Sequence, residues 1–318
     1  MEDVQAQQQM RTARNLVRHA TFEAAAADED PGLYKTRKHQ RKSQPYRPHA
    51  SGGVQLSIFQ EFIIYMMFLR RGFACDYLAL KFFGSNGAPA LRQMRSVLVT
   101  WSCAVHGILR DSDWWVYPKD MHKLSSKAFA LAREVLAVAD CTNVNCQGSD
   151  VSELIRQQLF SSYYKHCCGK YCVACSVIGG CVACSTGMGG PAGDHQCILA
   201  AGLMSVEKWR VGEGEPRAKL LYDAGVSSRT RVAAKAVRCD LELSGTTRNS
   251  AKSNLSYDQR AKNFRVSSLR IRVENFIGIV KNHFKVLGTL FSINDLPIMD
   301  KVVFTCFMMH NFKKPIIN

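Results

Sequence analysis

From Leu56 the chain carries apolar residues at helical spacing, with Ile58, Phe59, Phe62, Ile63, Met66 and Leu69 leading to Arg70-Arg71-Gly72. This pattern predicts an amphipathic helix with a basic C-terminus and a glycine stop. A short second helix is expected over Asp76–Phe82. The break Gly84-Ser85-Asn86-Gly87 then leads to a third, from Ala88 to about Trp101, with Leu91, Met94, Leu98 and Trp101 inward and Arg92 and Arg95 elsewhere on its surface. Helix, short helix, glycine-containing turn and a helix with exposed arginines is the order of a helix-turn-helix, whose last helix enters the major groove. Three-helix units that bind no DNA share the same apolar pattern.

The pattern then changes. A helical segment, Met121–Glu134, precedes the apolar run Val135-Leu136-Ala137-Val138-Ala139-Asp140, which reads as a buried strand delivering an acid to a sheet edge. Residues Tyr171–Thr186 read as a hairpin joined at Gly179-Gly180. A further strand, Ala218–Tyr222, again ends in a carboxylate, Asp223. Residues Leu243–Ser256 read as a polar loop, and helices are expected over Ser267–Leu290 and Leu296–Phe312. Strands and helices both occur here, so this part of the chain combines α and β structure.

Residues 1–52 combine Gln7-Gln8-Gln9, Ala24–Ala27 and Asp28-Glu29-Asp30 with the basic run Lys35-Thr36-Arg37-Lys38-His39-Gln40-Arg41-Lys42. That composition predicts a disordered tail whose basic run is a nuclear-import signal, a phosphate patch or a solvated linker. The partition expected is therefore a tail over 1–52, a helix-turn-helix domain over 53–118 and an α/β domain over 119–318. Over all 318 residues, 42 Lys and Arg stand against 26 Asp and Glu, a net charge of +16. So large an excess points to a polyanionic partner, with nucleic acid first. The most apolar helical run, Phe62–Leu69, falls short of the ~20 residues that span a bilayer, so no membrane helix is expected. A charged start without an apolar core predicts no signal peptide. The odd count of 13 cysteines predicts free thiols in a reducing compartment.

Two sets of residues compete for a metal. Cys172-x-x-Cys175 and Cys181-x-x-Cys184 resemble a zinc site, but only five residues separate the pairs. Zinc ribbons separate such pairs by about a dozen residues or more. In a hairpin, residues three apart also face opposite sides of the sheet, so small buried thiols are the better reading. The second set is Asp140, Asp223 and Glu274. On the helix containing Glu274, Arg270, Gly278, Lys281 and Lys285 lie within about 40° of it, beside a separate apolar arc of Val273, Phe276, Ile277, Val280, Phe284 and Leu287. Such a stripe is either a solvated face or a catalytic acid flanked by phosphate-binding bases. Three carboxylates from two strand ends and a helix suit two hard divalent ions acting on a phosphodiester.

In order along the chain, Asp140-Cys141-Thr142, the block Ser161-Ser162-Tyr163-Tyr164-Lys165-His166 with Lys170, Ser185–Asp194, Tyr222-Asp223-Ala224-Gly225-Val226, Leu269–Gly278 with Lys281, and His310-Asn311-Phe312 resemble the DDE-superfamily endonuclease domain of PIF/Harbinger-type transposases. Arg270, Glu274 and Lys281 also fit most of the Tyr-x2-Arg-x3-Glu-x6-Lys signature of bacterial insertion-sequence transposases. The resemblance implies an RNase H-like α/β nuclease domain, a mixed sheet flanked by helices, after a helix-turn-helix, with Asp140, Asp223 and Glu274 as catalytic metal ligands for Mg²⁺ or Mn²⁺. It implies Asp194 as a possible accessory acid, and Arg92, Arg95, Arg270 and Lys281 as DNA contacts. It also implies a nuclear location, DNA as partner, a separate Myb-like DNA-binding protein and a possible homo-oligomer. Ser267, Asn143, Gly193, Asn275 and Val226 depart from the motifs. A domesticated transposase that binds DNA without cleaving it is the alternative expectation.

Overall fold

The computed structural model describes residues 55–112, 135–148, 152–176, 179–203, 219–222, 240–243 and 256–312. The expected tail over 1–52 and the expected helix Met121–Glu134 lie outside the described residues. The chain divides into two compact units, one running to Phe68 and from Phe73 to Ile108, the other comprising Leu69–Gly72 and the chain from Leu109. No helix among the described residues is long and apolar enough to cross a membrane.

The first unit is helical: α1 Ile58–Arg71, α2 Cys75–Phe83 and α3 Ala88–Arg110. Helix α2 stops at Gly84, whose φ of 69° is a left-handed C-cap, with its N–H donating to the Leu80 carbonyl. Glycine takes that conformation without strain. On α3, Met94 and Leu98 are buried as expected, while the helix runs nine residues past Trp101 to Arg110. On α1 the buried residues are Ile64, Tyr65, Phe68 and Leu69, and Phe59 and Ile63 are exposed. The sequence there is apolar on nearly every side, so spacing alone does not pick the face.

The second unit is a mixed α/β structure. Its elements in chain order are β1 Val135–Asn145, α4 Glu153–Leu159, β2 Phe160–Ser161, β3 His166–Ser176, β4 Cys181–Cys184, β5 Met188–Gly189, α5 Asp194–Ala200, β6 Lys219–Tyr222, β7 Asp240–Leu243, α6 Tyr257–His283 and α7 Leu296–Met309. A 3₁₀ turn, Lys285–Gly288, follows α6, and another, His310–Phe312, closes the described chain. The sheet order is β2-β3-β1-β6-β7, with β4 and β5 also paired to β3. Strand β3 is antiparallel to β1, whereas β6 is parallel to β1 and β7 parallel to β6.

Helices cover both faces of the sheet. Alternate residues of a strand face opposite sides. On one side, Lys170 of β3 pairs with Asp194 of α5. On the other, the Tyr171 hydroxyl donates to Asp300 of α7 at 2.7 Å. Leu220, Leu221 and Tyr222 of β6 are all fully buried, so both faces of this parallel strand are covered as well.

The hairpin β3–β4 turns through Gly179-Gly180 as expected, but β3 starts at His166 rather than Tyr171. The strand β7 falls where no element was expected. Helix α6 begins ten residues before Ser267, because Ser256 accepts from Gln259 N–H while the Gln259 side chain accepts from Ser256 N–H, a reciprocal cap.

Between β4 and α5 the backbone of Gly189 and Gly190 lies directly on the end of α4. A Cβ on Gly189 would collide with the Gln158 carbonyl oxygen, and one on Gly190 with the Leu159 carbonyl and the Ser161 N–H. These obstacles are backbone, which cannot rotate away. Gly190→Ala is expected to cost about 1–3 kcal/mol in urea unfolding, the range for overpacking; a change below ~0.5 kcal/mol would contradict this contact.

Candidate active site

Asp140 was expected to end its strand. Instead it stands in the middle of β1, opposite Val173, in a ladder that runs unbroken from Ala137 opposite Ser176 to Asn145 opposite Cys168. The long antiparallel partner carries β1 through the polar run Asp140-Cys141-Thr142-Asn143, in which Thr142 is buried and the other three are half-buried. Asp140 marks the change: Val135–Ala139 are all buried, and Asp140 is the first half-buried residue of the strand. Its Oδ1 accepts the Cys141 N–H at 2.8 Å. Burial pushes the nearby Cys175 thiol up to about 12, and the Asp140 charge adds to the rise.

Strand β6 arrives beside this segment. Val138 is opposite Leu221, so Tyr222, the last residue of β6, comes level with Ala139. Asp223 is next in the chain and lies outside the described residues.

Glu274 is on α6, which packs on β1, β3 and β6 through a buried stripe of Val266, Leu269, Val273, Phe276, Ile277 and Val280. Its carboxylate is half exposed, and Arg270 one turn earlier holds it at 3.3 Å. Lys281, two turns beyond Glu274, donates to the Asn143 carbonyl at 2.7 Å. Among the described residues, β6 pairs with β1 as far as Val138, and farther along β1 has partners from other elements. Lys281 takes the Asn143 carbonyl, and Phe291 accepts from Gln147 N–H and donates to the Asn145 carbonyl. Lys281 therefore ties α6 to β1, three residues past Asp140, a role that its expected part in phosphate binding did not include.

Burial lowers the Lys281 pKa from 10.5. Between the lowered value and 10.5 the unfolded chain holds a proton that the folded chain has released, so stability rises with pH across that window. Lys281→Met is expected to remove this rise. Urea unfolding of both proteins at several alkaline pH values checks it, and parallel pH profiles would contradict it.

Asp194 is not beside Asp140. It pairs with Lys170 at 2.6 Å, and Lys170 stands opposite Asn143 on the face that also carries Cys141 and Cys172. Asp140 and its partner Val173 face the other side of the sheet. Burial alone would lower the Lys170 pKa; the hydrogen bond and charge of Asp194 reverse this and raise it above 10.5. Asp194 thus fastens α5 to β3.

Cysteine geometry follows the same alternation. Cys172 meets Cys141 on the α5 face, where the Cys141 thiol interacts with both Cys172 and Cys197, whereas Cys175 lies on the opposite face. All twelve described cysteines are free. Among the described residues no three His, Cys, Asp or Glu side chains converge as a metal site. In the first unit Arg92 is exposed, while Arg95 is half buried and its Nε has no hydrogen-bond partner.

The sequence model of the DDE superfamily endonuclease family matches residues 139–311, from the residue before Asp140 to Asn311. The chain belongs to this family. No curated protein matches it, and neither does any solved structure. The endonuclease domain is thus of the transposase-like nuclease kind, a class that acts on DNA with divalent metals.

Within the DDE endonuclease domain, some motif residues prove to be structural. Asn311 accepts the Cys181 N–H at 2.7 Å and donates to the Cys181 carbonyl at 2.8 Å, clamping the outer edge of β4 as a neighbouring strand would. Ser185 does the same for β3: its hydroxyl accepts the Cys172 N–H and its own N–H donates to the Cys172 carbonyl, both at 2.8 Å. Their presence in ordered motifs was the sequence signal; their partners were not visible there.

Proposed function

We propose that residues 119–318 form an RNase H-like nuclease in which Asp140, Asp223 and Glu274 hold Mg²⁺ or Mn²⁺, and that residues 53–118 form a helix-turn-helix that brings DNA to it. The observation that carries the reading is the place of Asp140. It lies on the central strand, where the C-terminal end of parallel β6 comes alongside and Asp223 follows in the chain. Support also comes from the sheet itself, antiparallel on one side of β1 and parallel on the other, with helices on both faces.

The donor set fits the metal. Asp140 and Glu274 offer carboxylate oxygens, the hard donors that Mg²⁺ and Mn²⁺ prefer, and neither is fully buried. Divalent ions bound there would supply Lewis-acid stabilisation and an activated oxygen nucleophile at the phosphodiester. The chain's own part is positional. Arg270 restrains the Glu274 carboxylate and presents a guanidinium beside it, a fork suited to phosphate. Lys281 fixes the height of α6 on β1. In the first unit Arg92, exposed on α3, is the better DNA contact, because the Nε of Arg95 is buried. A nuclear location goes with a DNA substrate and with the basic run Lys35–Lys42.

Mn²⁺ binding to the full chain tests the ligand set without requiring turnover. The wild type is expected to bind Mn²⁺, and Asp140→Asn to bind it at least about tenfold more weakly, the loss of one charged ligand. Equal binding by both proteins would remove Asp140 from the site.

A further inference from the structure

Helix α6 carries a second feature, on the side away from its core face. Tyr257, Phe264 and Ile271 recur every seven residues and are 79%, 76% and 51% exposed. At 100° per residue they lie within about 40° of one another and opposite the buried Val266, Leu269, Val273 and Val280. Exposed arginines flank this ridge, Arg260 on one side and Arg265 and Arg272 on the other. The ridge is the part of α6 that packing on the sheet does not explain, since burying two aromatic rings would stabilise the fold more than exposing them.

We infer that the ridge is a contact surface for an unpaired DNA strand, with Tyr257 and Phe264 stacking on bases and Arg260, Arg265 and Arg272 taking the flanking phosphates. A helix laid along the ridge fits less well. Coiled-coil pairing needs two apolar positions per heptad, and here the second is occupied by Arg260 or Ala261 in one heptad and by Ser267 or Ser268 in the next. A second copy of the chain would also set arginines against arginines. A polyanion meets both flanks favourably, in a chain of net charge +16. Spacing agrees: seven helical residues rise about 10.5 Å, the height of about three stacked bases at ~3.4 Å each. Aromatic rings stack on any base, and guanidinium groups beside them follow the backbone. Phe264 lies ten residues before Glu274, about 15 Å along the same helix. Because the substrate is taken as DNA, this inference rests on the nuclease reading, but only for the kind of ligand.

The test is a binding titration of the full chain in EDTA, with a blunt duplex and with the same duplex carrying a single-stranded overhang. Wild type is expected to prefer the overhang. Phe264→Ala and Tyr257→Ala should each weaken overhang binding about tenfold, with blunt-duplex binding and the thermal midpoint nearly unchanged. Phe264→Leu keeps an apolar side chain but removes the ring, so it should behave as Phe264→Ala does. Unchanged overhang binding in the double Tyr257→Ala/Phe264→Ala variant would overturn the inference and leave the ridge as a protein-docking surface. Equal loss on both DNAs would overturn its assignment to an unpaired strand, and so would wild-type binding by Phe264→Leu. A protein that keeps the overhang preference but cleaves nothing would fail only the nuclease reading.

Discussion

Glu274→Gln is expected to reduce metal-dependent strand cleavage by about 10³-fold or more while the protein stays folded. The size follows from what the carboxylate does in the proposed site. Metal-borne stabilisation of the transition state is worth several kcal/mol, and ~4 kcal/mol corresponds to about three decades in rate at ~1.36 kcal/mol per decade. The fold should tolerate the change because Glu274 is half exposed on α6 and its only ion pair, among those described, is with Arg270 on the same helix. Such an exposed pair contributes at most ~1 kcal/mol to stability. DNA affinity in EDTA should stay equal or rise slightly, since one negative charge is removed. Initial cleavage rates, unfolding midpoints and binding curves of the two proteins check all three parts. A cleavage rate near wild type would remove Glu274 from the site, and loss of the fold would make it structural.

Asn311→Ala has the largest expected effect on stability. Its side chain makes two hydrogen bonds to the backbone of Cys181, a buried residue on the outer strand of the hairpin. Alanine would leave a buried N–H and a buried carbonyl without partners, at about 1–3 kcal/mol each when left unpaired. Some relaxation is available at a strand edge, so a total of about 2–4 kcal/mol is expected. For a unit of about 200 residues this lowers the thermal midpoint by roughly 5–15 °C. A midpoint within ~1 °C of wild type would show that the clamp is dispensable.

How much of this was legible in the sequence varies by element. The first half of β1, the Gly179-Gly180 turn, the Gly84 stop and the inward face of α3 at Met94 and Leu98 all follow from local pattern. The continuation of β1 past Asp140 does not. Asp-Cys-Thr-Asn has weak strand preference, and only the pairing with eleven-residue β3 carries it. The start of α6 was legible as Ser256-x-x-Gln259, but the polar sequence around it read as loop. Strand ends and the charged stripe of α6 already set Asp140, Asp223 and Glu274 apart, and the resemblance that ordered them along the chain sharpened a weak signal. The roles of Lys281 and Asp194 required the register. Lys281 meets the Asn143 carbonyl, farther along β1 than the last pair with β6 among the described residues, and Asp194 falls on the α5 face because Lys170 alternates with Tyr171. Neither pairing leaves a trace in local composition.

The most direct measurement is nicking of supercoiled plasmid by the full chain, in Mn²⁺ and in EDTA, with Asp140→Asn beside the wild type. The predicted result is nicking by wild type in Mn²⁺ only, and none by folded Asp140→Asn. Nicking that persists in Asp140→Asn, or a folded wild type that binds plasmid and leaves it intact in Mn²⁺, would contradict the assignment of this site as a working carboxylate nuclease.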